Sequence, residues 1–399
     1  MKTSLILTLV MLLSLSAAAA TINANSCSNT DVQNAINSAS NGDTVLVPSG
    51  SCSWTSVTTS GSVGITLQGG SGGTTSISFS NSVYGALDIA ATSNTLTRLT
   101  GFTFTTGGVN GAYPIEVDST PSSYLVEIDH NTFTDSTTST FIGTTGNGPV
   151  LITTNTFTDG GASEQIHNIA YGASSTTGWT NDLTPGSANA VYIENNTFNN
   201  TDNSVICSIV ESYYGGRTVI RYNQIHFCQI DQHGTAGAIG TRWWEIYNNT
   251  FYPGGLNQCC IITLRGGSGV VFNNSVSGSN TGAGSLELYD EDSGYPAPYQ
   301  PGRGINQDYS PAYLWGTLEN SGVTYGGSSN VVQGRDFFVS ATQPSSMVRC
   351  EQAADGGTAS GLEGSCPTTY SYTPYTYPYP VQASASLPAP PTGLTVSVQ

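Results

Sequence analysis

The chain runs to 399 residues with a formal net charge of −17, nine basic side chains standing against 26 acidic ones. A surface that acidic repels a phosphate backbone and excludes nucleic acid as a partner. Only 9% of residues are charged and Gly is abundant, as are Ser, Thr and Asn; this composition suits an exported β-protein whose eight cysteines form disulfides rather than metal clusters.

Residues 1–20 read as a secretory signal: Lys2, an apolar run from Leu5 to Leu15, then small residues through Ala20. The run is too short for a membrane anchor, and no other segment has the length and hydropathy to span a bilayer. The mature chain is therefore expected to be secreted and soluble, with association to the cell surface left open. A small helix follows. Thr30-x-x-Gln33 reads as its capping box, Val32, Ala35, Ile36 and Ala39 form its apolar stripe, and Asn41-Gly42 ends it. The strand Thr44-Val45-Leu46-Val47 is expected to stop at Pro48. Cys27 and Cys52 bracket this unit. A helix here would plug the open end of a solenoid and shield its interior.

Residues 60–125 are rich in Gly, Ser and Thr with faint repeats. Beyond them a phrase returns: Asn131-Thr132-Phe133, Asn155-Thr156-Phe157, Asn196-Thr197-Phe198, Asn223-Gln224-Ile225, Asn249-Thr250-Phe251 and Asn274-Ser275-Val276. A period of about 25 residues marks a solenoid. Each phrase follows an alternating run, such as Val126-Glu127-Ile128-Asp129-His130, which is a strand with one buried face. The asparagines are expected to stack at a left-handed corner, with the Phe, Ile or Val two residues later filling the core. This alternation also puts His130 inside. The long step from Asn155 to Asn196 implies an insertion within 160–188. The repeat accounts for most of the Asn-x-Ser/Thr triplets at Asn195, Asn199, Asn248 and Asn273.

The fold class read from these features is all-β, a parallel β-helix with a short N-terminal capping helix. The stretch DVQNAINSASNGDTVLVPSGSCSW, residues 31–54, together with the repeats, resembles the pectate-lyase-like superfamily of right-handed parallel β-helix proteins. In that superfamily a helix of this type precedes a Gly-Asp-Thr-Val strand and a Pro-x-Gly turn. The resemblance implies the fold over about 30–340. It leaves the activity open, because the fold hosts lyases, hydrolases, esterases, epimerases and adhesins.

Five of the eight arginines fall between 217 and 303. Registering the coils on their asparagines puts Asp129, Thr153, Glu194, Arg221, Tyr247 and Phe272 in one outward column. Glu127, Leu151, Tyr192, Val219, Glu245 and Val270 form a second. Arg217, Arg221, Trp243, Glu245 and Tyr247 then share one outward face, and Trp243-Trp244 must split between groove and core. Arginine forks and aromatic platforms suit an extracellular acidic polysaccharide. Candidate catalytic residues are Arg221, His233, Glu245, Arg217 and Arg265. Candidate substrate-binding residues are Arg242, Trp243, Tyr247, Tyr192, Glu194 and Arg303. Arg217 and Arg221 facing Glu194 and Glu245 also fit plain cross-strand ion pairs.

Three functions stay open at this point. β-Elimination from a uronic acid needs a neutraliser for the carboxylate and a base for the C5 proton; with Lys2 the sole lysine, the base is an Arg, His233 or a Tyr. Relatives in the superfamily often use Ca2+ held by acidic residues, for which Asp231, Asp290 and Asp292 are weak candidates. Glycoside hydrolysis needs paired carboxylates, such as Glu245 with Asp231 or Glu194. A binding or structural solenoid needs no chemistry. Cys207 and Cys228, one coil apart, are expected to staple neighbouring coils, and Cys350 and Cys366 to tie the tail, while the pairing of Cys259 and Cys260 is open. Residues 280–340 break the period and are expected as a long loop or cap over the groove. The domain so drawn covers 21–345, followed by a Tyr/Pro-rich extension, 346–384, that lies extended on the surface. A linker-like tail, 385–399, ends in PPTGLTVSV, which resembles the opening strand of a fibronectin type III module.

Overall fold

The computed structural model describes residues 18–79, 84–105, 113–135, 140–159, 163–169, 179, 184–201, 207–234, 239–254, 260–277, 285–290, 299–304, 309–316, 324–327, 330–348 and 369–381. Residues 1–17 of the signal, Cys259, Asp292, Cys350, Cys366 and the 385–399 tail lie outside them.

The alternation of the repeats becomes stacked columns of parallel strands, the right-handed parallel β-helix expected from the sequence. The first sheet climbs from 44–46 and 66–68 through Thr97–Thr100, Val126–Asp129, Val150–Thr153, Val191–Glu194, Arg217–Arg221, Trp243–Tyr247, Ser268–Phe272 and Ala312–Trp315 to Phe337–Ser340. A second sheet carries the strands that follow each asparagine, from Phe102–Thr105 to Ser275–Val276. The third runs from Val57–Thr58 to Cys207–Tyr213 and on, from Ile230–Gln232, to Thr324–Gly327. Inward residues of all three, among them Ile128, Ile152, Ile193, Ile220 and Ile246, make one continuous apolar core.

The asparagine ladder is built as the repeat predicts. The side-chain oxygen of Asn155 accepts from the backbone N–H of Asn131 at 2.9 Å and from its Nδ2 at 3.2 Å. The same pair of bonds joins Asn155 to Asn196, Asn196 to Asn223, Asn223 to Asn249 and Asn249 to Asn274. Each corner's buried polar groups are thereby satisfied, which lets a turn sit inside the coil. The left-handed residue is not the asparagine, however, but its predecessor: His130, Thr154, Asn195, Tyr222, Asn248 and Asn273 have φ of 52°, 56°, 57°, 56°, 56° and 53°. Two residues beyond the corner, Phe133, Phe157 and Phe198 stack at 4.5 and 4.7 Å, each contact adding about 0.5–1.5 kcal/mol beyond area burial.

Several expectations change. The helix spans Asn29–Ser38, and its cap is Ser28, whose hydroxyl accepts from Asp31 N–H; the Thr30 box lies inside the helix. Pro48 does not end its strand. Thr44–Trp54 is continuous, with register shifts on either side of Pro48 that turn the chain from the first sheet into the second. His130 is an outward residue, its side chain 61% exposed, because the left-handed corner breaks the alternation one residue early. Within 280–340 the described strands Ser285–Leu288, Ala312–Trp315, Thr324–Gly327 and Phe337–Ser340 continue the coils instead of forming a loop or cap. Cys27–Cys52 and Cys207–Cys228 are disulfides as expected, and Cys260 is also disulfide-bonded.

The cover over the groove comes from farther along the chain. Thr369–Tyr370 pairs antiparallel with Met347–Val348, and residues 371–381 then run across the outer face of the first sheet. Tyr372 and Tyr379 build a second apolar cluster there with Leu151, Tyr192, Val219, Tyr247, Val270, Phe272, Tyr313 and Trp315.

Candidate functional site

The register read from the asparagines holds on the first sheet. Arg217 lies opposite Trp243, Val219 opposite Glu245, and Arg221 opposite both Glu194 and Tyr247. Trp244 points into the core, while Trp243 donates its indole N–H to Glu245 Oε1 at 3.0 Å.

Arg221 is fully buried. Its Nε donates to Glu194 Oε2 at 2.6 Å and its Nη1 to the Tyr247 hydroxyl at 2.9 Å. The rings of Tyr192, Tyr377 and Tyr247 lie 4.9, 5.3 and 5.9 Å from the guanidinium carbon. The remaining donors go to the C-terminal strap: Nη1 to Tyr375 O at 2.7 Å and Nη2 to Thr376 O at 2.9 Å. Burial works against the charge of Arg221, and Tyr247 and Glu194 more than restore it. Glu194 is closed from the other side by the Tyr379 N–H at 2.9 Å. Glu245 is buried too, accepting from Gly186 N–H at 2.8 Å and from the Tyr372 hydroxyl at 2.5 Å. Burial pushes its carboxyl above the usual range against these hydrogen bonds. Burial also pushes the Tyr192, Tyr247, Tyr372 and Tyr379 phenols up, so all stay protonated; Tyr192, Tyr372 and Tyr379 donate to Ser187 O, Glu245 Oε2 and Ala188 O, while Tyr247 accepts from Arg221.

The other sequence candidates lie elsewhere. Asp231 is on the third sheet, gripped by Arg265 through Nε at 2.9 Å and Nη2 at 2.8 Å. His233 stacks at 4.1 Å on Tyr213, which stacks on His167 at 4.8 Å. Neither His233 nor Arg265 therefore shares the face of Arg221. Arg242 is buried, donating Nε to Trp179 O at 3.0 Å with its guanidinium 5.1 Å over the Trp179 ring. The Trp179 indole in turn donates to Gly304 O at 3.0 Å, beside Arg303, which is also buried. These residues join the insertion before Val191 to the 299–304 segment. Arg217 is buried at the start of its strand. Asp231 is paired with Arg265, and Asp290 accepts from Asn330 at 2.8 Å. Among the described residues no group of three or more His, Cys, Asp or Glu is gathered for a metal.

A second cluster, built on the Glu127 and Asp129 that the register put on this face, lies at its other end, and sequence reasoning missed its Arg98 and the outward His130. Arg98 binds Asp129 in a fork, Nε to Oδ1 at 2.7 Å and Nη2 to Oδ2 at 2.5 Å, with Glu127 Oε2 3.5 Å from Nε. His130 Nδ1 lies 2.5 Å from Asp129 Oδ2. Burial and the charge of Asp129 push the Glu127 carboxyl up to about 7, against Arg98 and His130. Arg98 could not be registered because its corner is Gly101-Phe102, with no ladder asparagine; Phe102 N–H nevertheless bonds the Asn131 side chain at 3.0 Å. Between the two clusters lies a cleft of about 250 Å³ walled by Tyr124, Leu125, Pro149, Asn189, Tyr375 and Tyr379.

No family model and no curated protein matches the chain. Among solved structures it is similar to a mutant of the PL6 family alginate lyase AlyGC, at 12% identity and a TM-score of 0.41 over 90% of this chain. AlyGC itself matches at 14% identity and 0.38 over 90% of this chain, and an alginate lyase from Paenibacillus sp. str. FPU-7 at 12% and 0.31 over 80% of this chain and 95% of that one. The chain spans 59% and 60% of the length of the two AlyGC chains.

Proposed function

We propose that the chain is a secreted carbohydrate-active protein that receives an extracellular acidic polysaccharide along the outer face of the first sheet and cleaves it by β-elimination from a uronic acid. One observation carries this reading. The outward Nη1–Nη2 edge of Arg221 meets two carbonyl oxygens of the strap, at 2.7 and 2.9 Å, in a ring of tyrosines. Two oxygens on a guanidinium fork are what a uronate carboxylate would present, and aromatic walls suit sugar rings. In this reading the strap occupies one uronate-binding place on the face, where Arg221 would hold a sugar carboxylate once the strap lifts.

Elimination is favoured over hydrolysis by spacing. Glu194 and Glu245 lie two rungs apart on the sheet, about 9.6 Å in the stacking direction alone. That is wide of the ~5–5.5 Å of retaining glycosidases and at the limit of the ~6.5–9.5 Å of inverting ones. The disulfides support an extracellular setting.

The test is turnover by the full mature chain on pectic, alginate and glycosaminoglycan polymers, with and without calcium. The expected result is ultraviolet absorbance of an unsaturated uronide. New reducing ends without that absorbance would replace elimination by hydrolysis. No new ends on any polymer would favour the second reading, a non-catalytic surface or matrix solenoid, for which the saturated contacts of Arg221 speak.

A further inference from the structure

Among the described residues, no hydrogen bond of the strap reaches Arg98, Glu127, Asp129 or His130 at the N-terminal end of the face, and this cluster has the parts of a proton-transfer site. His130 sits on a left-handed corner that swings its ring off the sheet, 61% exposed. Asp129, only 1% exposed, holds the Nδ1 side of that ring at 2.5 Å. With Nδ1 bound, the free lone pair of the neutral imidazole is on Nε2 and faces solvent. Arg98 spends Nε and Nη2 on Asp129; its side chain is 34% exposed, and among the described residues no hydrogen bond takes up Nη1. Glu127 is nine-tenths buried, and among the described residues its polar contact is Arg98 Nε at 3.5 Å. An ion pair serving stability alone would not need an exposed imidazole aligned by a buried carboxylate, nor a second buried carboxyl lacking a close donor.

We propose that this open cluster is the site of β-elimination on a uronic-acid polymer, with His130 as the catalytic base, Arg98 as the receiver of the substrate carboxylate and Glu127 as the acid; the inference rests on the elimination reading above. His130 Nε2 takes the proton from C5, next to the carboxylate held by Arg98. The electron pair of that C–H bond becomes the C4=C5 double bond, the C4–O glycosidic bond breaks, and the leaving oxygen takes the proton of Glu127. The imidazolium then gives up its proton and Glu127 regains one through solvent, so no other reactant is needed. Asp129 is a positioning residue that fixes the tautomer of the ring. The upward push on Glu127 agrees with a carboxyl that still carries a proton near neutrality. The charged and titratable groups facing His130 and Glu127 are Arg98, Asp129 and each other; the next rung brings Leu151, Thr153 and Thr154, none of which titrates. The tyrosine-walled cleft starts at Leu125, on the same outward side of the strand as Glu127, and can seat a neighbouring sugar.

The experiment uses the full mature chain and His130→Asn, since asparagine occupies the same corner at Asn195, Asn248 and Asn273. Imidazole resonances are followed as saturated galacturonate and mannuronate tetramers are added, and unsaturated product is timed on the matching polymers. The expected result is a tetramer-induced shift of the His130 ring and a rate loss of about 100-fold or more in His130→Asn at little change in KM. Asp129→Asn, which removes the carboxylate that holds the ring, should lower kcat by about 10-fold or more while leaving KM nearly unchanged. Undiminished elimination by His130→Asn would overturn the assignment while leaving the elimination reading intact. A His130 ring untouched by either tetramer would overturn it whatever the activity. A shifted ring with no product from the wild type would reduce the cluster to a binding site and sink both.

Discussion

The two ends of one sheet face carry similar chemistry under opposite exposure. At one end Arg221 pairs with Glu194 on the neighbouring rung; at the other Arg98 pairs with Asp129. The strands, their register and the ladder beneath them are the same. What differs is the segment 371–381, whose carbonyls, amide and hydroxyl cap Arg221, Glu194 and Glu245 and whose tyrosines fill the space between. Accessibility on this face is therefore set by a distant piece of chain and not by the repeat itself. A residue in the covered half contributes to stability in its present state; a residue in the open half is free to meet a ligand.

The largest effect should come from breaking the covered ion pair. Arg221→Ala strands the Glu194 carboxylate in a buried site and should cost about 3–5 kcal/mol in urea unfolding. Arg98→Ala should cost less, because the half-open guanidinium leaves room for water to reach the otherwise buried Asp129 carboxylate once it is gone. Equal losses would mean that the strap does not exclude water from Arg221, and the contrast between the two ends would fail.

The strap also explains which features were legible in the sequence. The strands, the asparagine ladder, the Phe stack and the partners of Arg221 all follow from a local period, since side chains alternate and coils stack in register. The identity of the cover does not. Tyr372 meets Glu245 across 127 residues of sequence, and Tyr379 meets Glu194 across 185. Periodicity carries no information about such contacts; only the unusual Tyr and Pro content of 367–380 hinted that the segment lies extended. His130 was misplaced for a different reason. Strict alternation puts it inside, yet the chain turns left-handed at that residue and the ring leaves the sheet plane. The column of residues preceding each ladder asparagine, His130, Thr154, Asn195, Tyr222, Asn248 and Asn273, is mostly polar, which was the available sign that it faces out.

A smaller effect should follow from loosening the strap without removing a charge. Tyr372→Phe deletes the hydroxyl that donates to Glu245 Oε2 and keeps the ring against Phe272 and Trp315. Hydrogen bonds to charged groups are worth about 1.5–3 kcal/mol, and the unfolding free energy should fall by that much. An unchanged stability would show that Glu245 is satisfied by Gly186 and Trp243 alone and that the strap is held by apolar contact.

The smallest effect tests the open end through pH. The folded-state value of Glu127, about 7, lies above its ordinary 4.5, so the folded chain holds this proton more tightly than the unfolded chain does. Its contribution to stability is complete below about 4.5 and is lost as pH rises through about 7. Glu245, pushed up by burial as well, gives a slope of the same sign, so the raw pH curve does not separate the two ends. The difference between wild type and Glu127→Gln does, because the variant keeps Glu245 and removes only the titration at the open end. That difference should change by about 1–2 kcal/mol between pH 4.5 and 7, less than the full shift would give because solvent reaches Arg98 beside it. A flat difference would mean that Glu127 is ionised throughout, paired with Arg98 as Glu194 is with Arg221, and the open end would then lack a proton donor.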